Sequence, residues 1–128
     1  MNDYESRGTT MKKGICLLLF ASLPALAEDV SGVWKVNGQI ADHTITPTCT
    51  LKQEEKQISG NCKVDADHTL DVKGSVSDKQ VTWKYDQEYE GTVYTITYAG
   101  TLDSDTSMKG TVTADPSDSS GDFTAKKQ

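Results

Sequence analysis

Arginine is almost missing from this chain: the 128 residues hold one, Arg7, and lysine supplies the rest of the basic charge. Thirteen Lys and Arg stand against 19 Asp and Glu, for a formal net charge of −6. A surface this acidic, without an arginine cluster, lacks the basic footprint that nucleic-acid phosphates require, and anionic membrane surfaces are disfavoured for the same reason. Histidine is scarce as well, with His43 and His68 alone. No G-x-S-x-G elbow or other nucleophile motif occurs, and no pair of carboxylates sits at a spacing that suggests general acid–base work. An enzyme is therefore not expected, and neither is a cofactor. Long apolar runs are missing too. The longest, Ile15 to Leu23, falls well short of the roughly 20 residues that span a bilayer.

That run has a specific context. Lys12-Lys13 precede it, Pro24 follows, and Ala25-Leu26-Ala27 forms an A-x-A box. A basic stretch, a short apolar core and small residues at a cleavage site make a secretory signal peptide. The division expected is an N-terminal extension and cleaved signal peptide over 1–27, with translation starting at Met11, and a single domain over 28–128. Cleavage would remove three of the basic and two of the acidic residues. A 101-residue domain with 10 Lys, no Arg and a charge of −7 would remain. It would be periplasmic or secreted, with no stable membrane anchor. Cys16 leaves with the leader, and Cys49 and Cys62 stay. An even pair in an oxidising compartment reads as a disulfide.

The remaining sequence alternates with period two and shows no helical period. Eight strands are expected: Ser31–Gln39, Thr46–Gln53, Gln57–Val64, Leu70–Ser77, Gln80–Tyr89, Thr92–Leu102, Ser107–Ala114 and Gly121–Lys127. Short polar turns between them, such as Asp78-Lys79 and Glu90-Gly91, join only antiparallel neighbours. The turns also set register, because facing residues of a hairpin have a constant index sum. This pairs Cys49 with Cys62, Gly74 with Trp83, Val72 with Tyr85, Trp83 with Tyr98, and Tyr85 with Ile96. An apolar-x-Gly-x-apolar cell recurs around Gly60, Gly74, Gly100 and Gly110. Glycine within a strand marks a bend or a bulky neighbour, and four such cells suggest a sheet curved enough to close. The fold expected is all-β, a small eight-stranded antiparallel up-and-down barrel, with an open β-sandwich as the alternative.

Gly32-Val33-Trp34, at the start of the first strand, resembles the G-x-W that opens many calycin barrels, the group of lipocalins and avidins. Gly121-Asp122-Phe123-Thr124-Ala125-Lys126-Lys127 resembles their aromatic-then-basic last strand, and the V-T-W and Y-x-G cells are similar to avidin's. The resemblance implies a calycin-like barrel. It does not carry a ligand across: avidin cages biotin with several tryptophans, and this chain has two. Lipocalins are also longer, with deeper cups.

Six aromatic residues face inward in this register: Trp34, Trp83, Tyr85, Tyr94, Tyr98 and Phe123. Trp34 and Phe123 read as core. Trp83, Tyr85, Tyr94 and Tyr98 are the candidate ligand-binding residues, since Gly74 and Gly100 beside them could leave room for a flat or apolar molecule. Core filling is the competing role, and a closed, packed interior would favour it. Asp65-Ala66-Asp67-His68 and Asp103-Ser104-Asp105 are too short to supply the six to eight oxygens of a calcium site and read as solvated turns. Two functions stay open. One is a binder of a small apolar or aromatic ligand in the barrel mouth. The other is a periplasmic protein-interaction domain such as a hydrolase inhibitor, a role that small disulfide-stapled barrels with a G-x-W start perform. Exported protein should begin at Glu28 by intact mass and carry no free thiol. A maleimide-reactive thiol in the unfolded, unreduced protein would count against the bridge.

Overall fold

A computed structural model describes residues 29–128. The expected signal peptide and the expected mature start at Glu28 lie outside the described residues. Nine strands follow in order: β1 (Gly32–Ile40), β2 (His43–Ile45), β3 (Thr48–Glu54), β4 (Gln57–Asp65), β5 (His68–Ser77), β6 (Gln80–Tyr89), β7 (Thr92–Ser104), β8 (Ser107–Asp115) and β9 (Ser119–Lys127). β1 and β3–β9 form a closed, eight-stranded, up-and-down antiparallel barrel, sealed where β9 returns to β1 from Trp34↔Lys127 to Gly38↔Phe123. Closure gives β1 and each of β3–β9 a neighbour on both sides, while β2 pairs with β1 alone.

The hairpin arithmetic holds where the strands pair. Cys49 faces Cys62 and is bonded to it, Gly74 faces Trp83, Trp83 faces Tyr98, and Tyr85 faces Ile96. Two expectations need correction. The stretch after Ile40, which lies between the first two expected strands, folds back as β2 on the upper half of β1 (Gly38↔Ile45 to Ile40↔His43). Ala41 adopts positive φ there and closes a tight two-residue turn. Pro47 then carries the chain down to β3, which pairs with the lower half of β1. The second correction is at Val72 and Tyr85, which do not pair. The β5–β6 ladder ends at Lys73↔Lys84. Above that level β5 stays with β4 to Asp65↔His68, and β6 stays with β7 to Tyr89↔Thr92. Each strand keeps its own hairpin partner, while the twist between neighbours swings the two hairpin tips apart.

The two barrel ends differ. At the lower end the N-terminal segment acts as a plug. Val30 is buried and its carbonyl accepts a hydrogen bond from Trp34 Nε1 at 2.8 Å. Gln53 Oε1 accepts from the Val30 N–H at 3.0 Å. The disulfide is also buried, on the inner face between Trp34 on β1 and Leu70 on β5. At the upper end the tips of β1–β2, β4–β5, β6–β7 and β8–β9 surround the mouth.

The inward glycines leave no void. At Gly74 a Cβ would collide with the Thr82 carbonyl oxygen and lie 2.7 Å from Trp83 Cα, so the strands approach backbone to backbone. At Gly100 the place of a Cβ is taken by Phe123 Cζ, 2.9 Å away, and Met108 Sδ, 3.2 Å away. Gly74→Leu should therefore overpack the wall and cost about 1–3 kcal/mol or more. Lys73 is exposed and faces Lys84, so Lys73→Leu removes a like-charge pair and should be near neutral. Chemical denaturation of both variants checks the order, and equal damage would refute the inward assignment of β5.

Candidate functional site

Alternation on β6 and β7 sends Trp83, Tyr85, Ile96 and Tyr98 to the same face, and antiparallel pairing sets Trp83 directly against Tyr98. Their rings stack with centroids 4.9 Å apart and planes 11° from parallel. Phe123, from β9 across the barrel, meets both edge-on, at 5.7 Å from Trp83 and 5.2 Å from Tyr98. Stacked and T-shaped contacts of this kind are each worth about 0.5–1.5 kcal/mol beyond the area they bury. Tyr85 lies 5.8 Å from Tyr98 by ring centroid, and their hydroxyls share a buried hydrogen bond of 2.8 Å. The Trp83 indole N–H is buried without a partner. A lone buried donor costs about 1–3 kcal/mol, which the surrounding ring contacts have to offset.

The four candidate residues therefore separate. Trp83, Tyr85 and Tyr98 fill the barrel together with Phe123. Tyr94 is two same-face positions above Tyr98 on β7, half-buried, and reaches the mouth. There it lines a cleft of about 420 Å³ with Ile96, Ile40, Ile45 and Ala114. Those side chains come from β7, β1, β2 and β8, so the hairpin that sequence reading took for a loop supplies one wall. The cleft residues missed from sequence were Ile40 and Ile45. Their signal was present as the apolar character of the Ile40-to-Pro47 stretch, but nothing in it indicated a hairpin.

A second cleft, of about 690 Å³, opens beside the first where β5 and β6 part. Its walls carry Asp65, His68 and Leu70 on one side, and Asp86, Glu88 and Glu90 on the other. His68 Nδ1 lies 2.8 Å from Asp65 Oδ1, and this exposed pair raises the His68 pKa and lowers that of Asp65 through their mutual hydrogen bond. Among the described residues, no three His, Cys, Asp or Glu side chains come together as a metal-ligating group.

No protein-family model matches the chain, and no curated protein matches it. Among solved structures it is similar to a redesigned β-barrel, with 15% identity and a TM-score of 0.53 over 82% of this chain and 99% of that one. At that identity the likeness shows the barrel fold and does not extend to the lipocalin or avidin families.

Burial raises the pKa of both Tyr85 and Tyr98, chiefly by desolvating the phenolate that ionisation would create. In the unfolded chain these tyrosines ionise near the ordinary value of about 10. Their neutral, buried forms thus contribute stability that is complete below that pH and declines as pH rises above it. Absorbance titration near 295 nm should show Tyr85 and Tyr98 un-ionised until the barrel unfolds. Reversible ionisation of every tyrosine in the folded state would contradict the packed interior.

Proposed function

We propose that the protein is an exported binding domain, not an enzyme, and that it receives a small apolar or aromatic molecule at the barrel mouth. The observation that carries this reading is the cleft under Tyr94. Its volume of about 420 Å³ lies in the range of small-molecule sites, roughly 300–1,000 Å³. Ile40, Ile45, Ile96 and Ala114 supply apolar walls, and the Tyr94 hydroxyl, with Ser117 and Ser119 nearby, offers the few polar groups that orient a ligand. An oxidising compartment, periplasmic or extracellular, is in keeping with the Cys49–Cys62 bond.

A second reading, a protein-interaction domain such as an inhibitor of a secreted hydrolase, draws support from the same packed interior. It also draws on two exposed apolar residues at the β6–β7 tip, Tyr89 at 61% and Val93 at 59%. Native mass spectrometry of periplasmically expressed protein separates the two by the mass that co-purifies. Direct titration tests the first. The neutral dye Nile red should bind the folded protein, Tyr94→Ser should weaken it by about tenfold, and Ala114→Trp should fill the cleft and abolish binding. Dye binding indifferent to both substitutions would overturn the mouth site.

A further inference from the structure

β6 and β7 run as a ribbon past the rim of the barrel. Their ladder continues to Tyr89↔Thr92, whereas β6 loses β5 after Lys84 and β7 loses β8 beyond Thr95↔Asp115. In an antiparallel ladder, alternate residues direct their N–H and C=O groups to opposite neighbours. Leu102 N–H bonds the Lys79 carbonyl, which fixes the odd-numbered residues of β6 as those bonded to β7. The main-chain groups of Asp86 and Glu88 therefore point into the seam, where β5 supplies no ladder partner. The barrel thus has a short open strand edge on β6, and the 690 Å³ cleft runs along it.

We propose that this open β5–β6 seam is a docking edge for a basic, extended segment of another protein, which adds as a strand to β6 at Tyr85–Tyr89. This rests on the protein-interaction reading and gives its partner a chemistry. Strand addition draws affinity from main-chain hydrogen bonds and specificity from alternate side chains. Four carboxylates, Asp65, Asp86, Glu88 and Glu90, line the seam, and no lysine does. Asp86 is held in place by a 2.8 Å hydrogen bond from Thr95 Oγ1. Leu70, half-buried in the opposite wall, and exposed Tyr89 and Val93 offer apolar contact for the residues between the partner's basic ones. Charged side chains also blunt an open edge against self-association. Here they do so selectively: a second copy would bring carboxylates against carboxylates, while a lysine- or arginine-bearing strand meets opposite charge.

The test uses the full chain with its disulfide intact and a short capped peptide of alternating lysine and valine. A peptide with glutamate in place of lysine is the control. Only the lysine peptide should bind, and at saturation the amides of Asp86 and Glu88 should exchange at least about tenfold more slowly. Glu88→Pro removes one seam-facing N–H and should weaken binding by roughly tenfold while leaving Nile red binding intact. If that variant fails to fold, Glu88→Lys serves instead, and should reduce affinity for the lysine peptide by a similar factor. Absence of binding would overturn the proposal. So would binding that leaves both amides exchanging freely, which is charge attraction without strand addition and leaves the broader protein-interaction reading standing. Loss of peptide binding in Ala114→Trp would place the peptide in the mouth and also overturn the seam.

Discussion

The stack of Trp83 on Tyr98, met edge-on by Phe123, joins the paired strands β6 and β7 to β9, two strands further around the barrel wall. A closed sheet has no second layer to pack against, so its inward side chains must fill the interior from opposite sides. Phe123 reaches across from β9, and it can do so because Gly100 leaves the wall bare where the ring lies. The plug of Val30 under Trp34 completes the same core at the lower end, and the buried disulfide lines it between Trp34 and Leu70. Filling in this way uses up the volume that a deep ligand cup would need.

Both candidate clefts therefore lie at the rim. Each upper hairpin keeps its own partner strand, so the tips diverge where the barrel no longer holds them together. Between β1–β2 and β6–β7 the divergence leaves an apolar cleft, and between β4–β5 and β6–β7 it leaves an acidic one. The β6–β7 ribbon separates the two, presenting Tyr94 to the first and the main chain of Asp86 and Glu88 to the second. One overhanging hairpin therefore shapes both candidate sites.

Hairpin register was readable from the chain because a two-residue turn fixes the index sum on its own. Gly74 opposite Trp83, Trp83 opposite Tyr98 and Cys49 opposite Cys62 all follow from turn positions and period-two alternation. Where the rule failed, it failed through assuming that a ladder runs the whole length of its strands. Val72 and Tyr85 satisfy the sum, yet the strands part just beyond the last pair, Lys73↔Lys84. Twist between neighbouring hairpins is a property of the assembled sheet and leaves no mark in either strand.

The sequence by itself determined the eight strands of the barrel, their order, the face each side chain takes and the pairing of the cysteines, since all of these depend on local alternation and turn chemistry. Tertiary structure alone decided which inward residues fill the barrel and which meet a cleft. That depends on which ring reaches across the interior into the space beside Gly100, and on how far each seam stays closed. Both are settled by packing between strands distant in the chain, so Trp83, Tyr85, Tyr94 and Tyr98 look alike in sequence although only Tyr94 reaches the mouth.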